Sequence, residues 1–310
     1  MMRITTLNSF QTSVDNLQKR QQDLSDAQNR LTSGKRVQVA SDDPVAAAQA
    51  ERALAAMRKS ESDQRALDVS QNVMTQTEAA LGNAGDLLQQ ARGLVVNAGN
   101  GSYSDSDRAA LAQQLQALRD QMLTVANSTD GAGTYLFGGQ GSNVAPFVDG
   151  AGGVGYVGTA GNNSVPSTQS LPTSTDGKSI WLQAPNPVAG GPALSAFDVL
   201  DKAITALKTP GQNSSQIQQS VTTALNGIDA VAGNLLAARS AAGAVLNRMD
   251  TMTNQISANK LAAQTAQSNA TDLDMVQAIS DFQNQQTGYD AALKTYGSLQ
   301  KLSLFQYISV

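Results

Sequence analysis

The feature that most constrains the fold of this chain is a heptad pattern of apolar residues at each end. In such a pattern, apolar side chains alternate at spacings of three and four residues and form a stripe that needs a partner helix. The N-terminal stripe comprises Leu7, Phe10, Val14, Leu17, Leu24 and Leu31. The C-terminal stripe comprises Met275, Ile279, Phe282, Tyr289, Leu293 and Tyr296, and Leu302 and Phe305 belong to the same end. We call these side chains the assembly seam.

The two stripes are far apart in sequence, so they either pair in space or are offered to neighbouring copies of the chain. A single helix of this length gains little net stability in water, because nucleation is unfavourable and most helical stability comes from packing. We therefore expect the termini to be mobile in the monomer and to order on assembly. The alternative is an ordinary helical bundle that closes within one chain.

The middle of the chain has a different composition from its flanks. Residues 131–192 hold 14 of the 26 glycines and 6 of the 8 prolines, but only three charged residues, Asp149, Asp176 and Lys178. Residues 134–137, 144–148, 153–159 and 179–183 are rich in β-branched and aromatic residues and are bounded by turn formers, a composition typical of short strands. We predict a small inserted β domain with Trp181 and Phe147 as core anchors. A disordered linker is the alternative.

Long helices are predicted on both sides of the insert. Asp43 can cap a helix whose first residue is Pro44, and this helix continues towards residue 100. Further helices are predicted at 106–128 and 197–207, and another begins at about residue 214. The predicted fold is mainly α: an elongated antiparallel helical rod with terminal coiled-coil helices and a small inserted β domain. The predicted division is 1–33 with 273–310, 34–133 with 194–272, and 134–193.

Composition argues against most kinds of chemistry. The chain has no cysteine and no histidine, so we expect neither thiol catalysis nor a Ser-His-Asp triad nor the usual zinc sites. A net charge of −4 gives no reason to expect binding to nucleic acid or insertion into a membrane. The N-terminus lacks the apolar core of a secretory signal peptide. We therefore predict a protein that is not an enzyme and holds no cofactor and no metal.

Three motifs imitate functional sites. Residues 150–155 match G-x-G-x-x-G, but a strand-like stretch follows where a dinucleotide site requires a helix, so hairpin turns explain these glycines better. Asp42 and Asp43 are explained by the start of the helix at Pro44. Asp272 and Asp274 are not followed by a calcium-binding loop, and they predict a cap or hinge before the last helix.

Several stretches resemble the bacterial flagellin superfamily. Residues 2–5 (MRIT), 31–36 (LTSGKR) and 41–44 (SDDP) are similar to its N-terminal signature. Residues 100–108 (NGSYSDSDR), 127–139 (NSTDGAGTYLFGG), 145–147 (APF) and 303–306 (SLFQ) resemble its hook–filament junction proteins. Flagellins usually close on a Leu-rich tail, whereas this chain closes on FQYISV at 305–310. The resemblance covers both flanks and leaves out 148–192.

The resemblance implies a structural subunit of the bacterial flagellum. Copies of the chain would form a ring layer at the hook–filament junction, between hook-associated protein 1 and the flagellin filament. The subunit would be secreted through the flagellar type III export apparatus without a cleaved signal peptide, after binding a cytosolic export chaperone. The assembly seam would carry the contacts. A filament-forming flagellin is one alternative, and an enzyme or small-ligand binder housed in the insert is another.

Overall fold

A computed structural model describes residues 2–141, 144–165 and 171–308, and it describes side chains for 10–141, 144–164 and 171–298. The helices are α1 (Met2–Ser33), α2 (Pro44–Ala98), α3 (Asp105–Ala126), α4 (Gly177–Trp181), α5 (Ala196–Lys208), α6 (Ser214–Thr271) and α7 (Met275–Ile308). The strands are β1 (Phe147–Gly150), β2 (Gly153–Tyr156), β3 (Asn163–Val165) and β4 (Leu171–Ser174). The predicted mainly-α class with a small β region is confirmed.

The predicted helix starts are confirmed by their capping hydrogen bonds. The Asp43 carboxylate accepts hydrogen bonds from the backbone N–H groups of Val45 and Ala46, which caps α2. The Asp274 carboxylate accepts from the N–H groups of Val276 and Gln277, which caps α7 in the same way. Both caps satisfy N–H groups that have no partner within their helix.

The predicted strands are only partly correct. Residues 147–150 and 153–156 pair as an antiparallel hairpin, in which Gly150 lies opposite Gly153, so the glycines of the G-x-G-x-x-G match form a turn. The prediction of a strand at 179–183 is wrong: these residues lie in α4 and just after it, because the Asp176 carboxylate caps a helix there. The prediction of a strand at 134–137 is wrong, since within it only Tyr135 forms an isolated bridge, with Thr129. Strands β3 and β4 form a second hairpin that the sequence pattern missed.

The chain divides into two compact units. Unit 1 comprises Met1–Ser60 and Ala258–Val310, and unit 2 comprises Glu61–Ser257. Helices α2 and α6 contribute to both units. The three-part division expected from the sequence stays a prediction.

Two antiparallel helix pairs build unit 2. Arg92 and Arg239 of the α2–α6 pair lie 2.8 Å from Asp229 and 2.6 Å from Glu78, respectively. In the α3–α5 pair, the backbone N–H of Gly211 beyond the end of α5 donates to Asp105 at the start of α3. In the first pair, residue numbers rise along α2 as they fall along α6. In the second pair, the start of α3 meets the end of α5, so both pairs run antiparallel.

The core of unit 2 is centred on aromatic side chains. Phe137, Phe147, Trp181 and Phe197 are fully buried. The Trp181 ring stacks on Phe197 with centroids 6.1 Å apart, and Phe137 meets its edge at 5.4 Å. The predicted core roles of Trp181 and Phe147 are confirmed. These rings pack β1 and α4 against α5, so the inserted segment shares the core of the helices.

Arg119 is a buried charge that joins three elements of unit 2. Its guanidinium hydrogen-bonds the Asp149 carboxylate of β1 and lies 3.1 Å from the Asp201 carboxylate of α5. It also lies 5.9 Å from the centroid of the Phe197 ring. The hydrogen bond to Arg119 lowers the pKa of Asp149, since it stabilises the charged carboxylate.

Candidate assembly surface

Helices α1 and α7 pair antiparallel within unit 1. The Phe10 ring of α1 lies 5.6 Å from the Tyr296 ring of α7, and Arg20 lies beside Gly288. Just beyond the pair, Lys35 forms an antiparallel bridge with Asp272. Residue numbers therefore rise along α1 as they fall along α7. The two terminal stripes face one another within one chain, one of the arrangements that the sequence left open.

The predicted seam divides into two groups with different environments. Seven of its side chains are partly buried: Val14, Leu17, Leu24, Leu31, Phe282, Tyr289 and Tyr296. Four are exposed by 43–46%: Phe10, Met275, Ile279 and Leu293. The side chains of Leu7, Leu302 and Phe305 lie outside the described residues. The sequence placed all of these residues on one seam, and their role in assembly stays a prediction.

The face that α7 turns towards α1 alternates large and small residues. Phe282, Tyr289 and Tyr296 recur every seven residues. Ala278, Gly288 and Ala292 are partly buried small residues beside them. A Cβ added to Gly288 would lie 3.0 Å from Nη1 of Arg20, which shows how closely α1 approaches there. Sequence reasoning missed these alanines because it selected the larger Ile279 and Leu293. Positions three and four residues from Phe282 both lie beside it on a helix, so spacing alone does not separate them.

The other edge of α7 carries an exposed apolar stripe. It contains Met275, Ile279 and Leu293 at heptad spacing, and Val276 lies beside them with 82% of its surface exposed. We call these four residues the outer stripe. Gln286 occupies the heptad position between Ile279 and Leu293 and is also exposed. A heptad-spaced apolar stripe that remains exposed beside a partly buried seam has the geometry of a second helix-packing surface.

A short joint links the terminal pair to the ends of α2 and α6. The N–H of Arg36 donates to the Thr271 carbonyl at 2.8 Å, and the N–H of Leu273 donates to the Gly34 carbonyl at 3.0 Å. The Arg36 guanidinium donates to the Ala270 carbonyl at 2.9 Å and lies 3.1 Å from the Asp43 carboxylate. One side chain thus places positive charge at the C-terminus of α6 and joins it to the cap of α2. Sequence reasoning quoted this arginine in a motif but assigned it no role.

The two carboxyls of this joint have different tasks. The backbone N–H of Ala46 and then the Arg36 side chain lower the pKa of Asp43, because both stabilise its charged form. The pKa of Asp42 is lowered by the N–H groups of Gln38 and Val39. Asp42 therefore holds the turn before α2 and does not cap the helix.

Other kinds of site receive no support from the part of the chain that the structure describes. Within it, no three His, Cys, Asp or Glu side chains come together as a metal site would require. Among its helices, none combines the length and apolar character needed to cross a membrane.

Two family models match this chain. The bacterial flagellin N-terminal helical region matches residues 4–142, and the bacterial flagellin C-terminal helical region matches residues 225–308. Together they span all of α2, α3 and α7, α1 from residue 4 onwards, and α6 from residue 225 onwards. The residues between the two models include α4, α5 and all four strands.

Similar proteins separate two branches of that family. The flagellar hook-associated protein 3 of Salmonella typhimurium is 32% identical and aligns over 98% of this chain and 99% of its own length. Flagellin E of Vibrio cholerae is 30% identical, over 45% of this chain and 37% of its own length. A structure of a flagellar hook-associated protein from Vibrio parahaemolyticus has a TM-score of 0.66 at 23% identity and covers 74% of this chain and 100% of its own. This chain therefore has the same fold as the Vibrio parahaemolyticus protein.

Proposed function

This chain belongs to the flagellar hook-associated protein 3 family of the bacterial flagellins, and we infer that it is a structural subunit of the flagellum at the junction between hook and filament. The inference rests on one observation: the similarity to hook-associated protein 3 extends over almost the whole of both chains. The two flagellin family models and the shared fold agree with it.

The terminal helices carry the contacts between subunits. Copies of the chain form a ring layer, with hook-associated protein 1 on one side and the flagellin filament on the other. The outer stripe supports this role, since Met275, Val276, Ile279 and Leu293 offer a helix-packing surface that α1 does not cover. Assembly would bury this surface against a neighbouring subunit and remove its apolar area from water.

The proposed role involves no chemical reaction. The subunit needs neither a cofactor nor a metal, and its partners are other flagellar proteins. It leaves the cell through the type III export apparatus without a cleaved signal peptide, and a cytosolic chaperone binds it before export. Its final location is the extracellular flagellum, where it serves motility. Neither nucleic acid nor a membrane is among its partners.

A filament-forming flagellin is the second candidate. The partial similarity to Flagellin E supports it, but that similarity covers less than half of each chain. The two candidates differ in how the purified chain behaves. A junction subunit stays monomeric until its neighbours are present, whereas a flagellin polymerises alone into long filaments. Light scattering and electron microscopy of the concentrated protein distinguish them.

The assembly role is tested with Leu293→Asp, which places a charge in the outer stripe. We expect the variant to fold normally, because Leu293 is 43% exposed, but to fail to connect filaments to hooks. Val96→Asp is the matched control, since Val96 is similarly exposed on α2 outside the stripe. Filaments are counted by electron microscopy in a strain that lacks the chromosomal gene. Normal filament numbers with Leu293→Asp would contradict the role assigned to the stripe.

A further inference from the structure

Unit 2 carries two exposed apolar surfaces that the assembly seam does not include. The first is the outer face of the β1–β2 hairpin. Phe147 and Val154 point into the core, whereas Val148 and Val157 are 50% and 58% exposed. Val148 pairs with Gly155, and the N–H of Val157 donates to the Pro146 carbonyl, so the two valines are diagonal neighbours on one face. We call Val148 and Val157 the hairpin face.

The second surface is a groove of about 340 Å³ between α2, α6, β4 and α4. Met74, Leu81 and Ile180 form its buried floor, and the small side chains of Ala237, Ala238 and Ala241 line one wall. We call it the alanine groove. Because alanine side chains are short, this wall leaves room for apolar side chains from another surface.

The polar groups at the alanine groove are already used within the chain. The Asn234 amide donates to the carbonyls of Ser179 and Ile180, and the Thr77 hydroxyl donates to the Val73 carbonyl. The Asp176 carboxylate accepts from the N–H of Lys178. A small-molecule site usually directs a few polar groups at its ligand, and these groups are directed elsewhere. The groove therefore suits an apolar protein surface better than a polar ligand.

The two surfaces are fixed at separate places on one core, since Phe147 of the hairpin packs on Trp181 of α4 as well as on Phe197 of α5. Behind the hairpin face, Phe147 packs on Phe197 of α5, and Asp149 is bound by Arg119 of α3. Around the alanine groove, Ser70 of α2 hydrogen-bonds the Pro172 carbonyl of β4, and Asn234 of α6 holds α4. A copy whose hairpin is held on α3 and α5 cannot place it in its own groove between α2 and α6. The hairpin face is then left for another molecule.

We propose that the hairpin face of one copy docks into the alanine groove of the next copy around the ring. This inference rests on the proposed junction function, which places copies of the chain side by side. A closed ring of identical subunits needs a heterologous interface, in which two different surfaces of the same chain are complementary. The hairpin face is exposed and the alanine groove is recessed, and the residues that define both are mainly apolar.

Charge favours a second copy as the occupant. The segment 131–192 contains three charged residues, of which Asp149 is paired with Arg119 and Asp176 caps α4. Copies of such a surface approach one another without like-charge repulsion, and few charges lose their water. A partner that recognised this region by charge would find little to bind. The walls of the alanine groove come mainly from α2 and α6, where Glu78 and Arg239 pair with each other at 2.6 Å. Both surfaces are therefore apolar and close to neutral, which suits a second copy of the chain as the occupant.

The absence of cysteine from the chain allows a direct test by disulfide cross-linking. Two differently tagged copies, one with Val148→Cys and one with Ala241→Cys, are expressed together in a strain that lacks the chromosomal gene. Isolated flagella are oxidised mildly and analysed on a non-reducing gel. We expect a covalent dimer that carries both tags. Ser106→Cys on α3, which replaces Ala241→Cys in the control, gives no such dimer.

Several outcomes would overturn the docking. Filaments that attach normally while no mixed dimer forms would contradict it. A dimer formed between two Val148→Cys copies would contradict it as well. A photoreactive maleimide on the Val148→Cys thiol identifies any other occupant by mass spectrometry. We expect a peptide from residues 237–242 of a second copy, and a peptide from flagellin, from another hook-associated protein or from another surface of this chain would contradict the proposal.

The same strain separates this proposal from the junction function. If the strain without the gene still attaches filaments, the junction function fails, whatever the cross-link shows. If filaments require the gene but no mixed dimer forms, only the docking fails. As a second test, Val148→Asp combined with Val157→Asp should reduce the attached filaments, while the matched double threonine substitution should not. Unchanged near-ultraviolet circular dichroism shows that the core around Trp181 is intact in both variants.

Discussion

Units 1 and 2 are both built on long antiparallel helices, but they bury their side chains to different extents. In unit 2, Phe137, Trp181 and Phe197 are fully buried and contact one another or shared neighbours. In the described parts of α1 and α7, residues 10–33 and 275–298, no side chain is fully buried. An open cleft of about 650 Å³ separates Asn16 and Arg20 from Tyr296.

The difference shows how one chain can combine a stable body with ends that await a partner. Complete burial of large side chains stabilises unit 2 by removing their apolar surface from water. The terminal pair buries its seam only partly and leaves the outer stripe in water, so it gains more from assembly than unit 2 does. In the proposed assembly, contacts with neighbouring subunits would contribute to ordering the ends as well as to joining the subunits.

The largest expected effect is on unit 2. Phe197→Ala removes the ring that packs on Trp181, Phe147 and Arg119, and we expect it to lower the free energy of unfolding by about 3–5 kcal/mol. Urea unfolding followed by the fluorescence of Trp181 measures this loss. Phe10→Ala is the control in the terminal pair, and because Phe10 is exposed by 44% it should change the same transition little. An equal loss for both would remove the contrast between the units.

Loss of the buried charge in unit 2 should have the next largest effect. Arg119→Met leaves Asp149 and Asp201 without their partner, and we expect a loss of about 1–3 kcal/mol because both carboxylates can regain water. Arg92→Met is the matched control, since its exposed ion pair with Asp229 contributes about 0–1 kcal/mol. Thermal unfolding at neutral pH compares the two variants. A larger loss of stability for Arg92→Met than for Arg119→Met would contradict the stabilising role assigned to the buried Arg119 charge.

The Arg119 contact also predicts a pH dependence. Folding lowers the pKa of Asp149, so the charged pair stabilises the protein above the unfolded pKa of about 4 and is lost as the pH falls through the folded value. The difference in stability between the unsubstituted chain and Arg119→Met should therefore shrink as the pH falls below about 4. Urea midpoints measured from pH 7 downwards check the sign. A difference that grows in acid would contradict it.

A smaller effect is expected in the terminal pair. Leu17→Asp places a charge in the partly buried seam, and we expect a cost of about 1–2 kcal/mol for local opening, which corresponds to roughly tenfold faster amide exchange in α1 and α7. Leu293→Asp in the outer stripe should change this exchange little. Hydrogen exchange with mass spectrometry measures both, and the Trp181 unfolding transition should stay unchanged. Equal acceleration by the two variants would show that the seam and the stripe are one surface.

The smallest expected effect is a gain. Gly288→Ala should stabilise α7 by about 0.5–1 kcal/mol, since alanine is the better helix former. The new methyl would approach only the end of the flexible Arg20 side chain, which can move aside. Gly85→Ala on α2 is the control in unit 2, where the added Cβ meets no atom within 4 Å. Slower exchange in α7 is the expected result, and faster exchange would mean that α1 needs the space.

The sequence predicted local features better than it predicted contacts. Asp43, Pro44 and Asp274 act on their own backbone neighbourhood, so their caps could be predicted without knowledge of the fold. The strand predicted at 179–183 was wrong because Ile180 and Trp181 favour strands by composition, whereas the cap at Asp176 and burial in the aromatic core favour a helix. The helical conformation of this segment therefore depends on tertiary packing as well as on its local sequence.

The candidate assembly surface was predicted only in part, again because contacts between distant residues decide the rest. Heptad spacing identified the helices that pair and most of the side chains between them. Heptad spacing did not decide which edge of α7 faces α1. Ala278 and Ile279 are four and three residues before Phe282, and both spacings fit the heptad. The roles of Arg36 and Arg119 depend on partners distant in sequence, Ala270 and Asp201, so no local pattern indicates them.

The joint between the terminal pair and α2 and α6 has a mechanical consequence. A flagellum transmits torque, and a subunit tied by one strand of chain would let its terminal helices swivel. Here the chain crosses twice, at Gly34 to Val37 and at Asp272 to Leu273, and the two crossings are linked by backbone hydrogen bonds. Twist applied to the terminal helices therefore loads both crossings together. Arg36 adds a side-chain link between the end of α6 and the start of α2, so we expect both helices to resist that twist together.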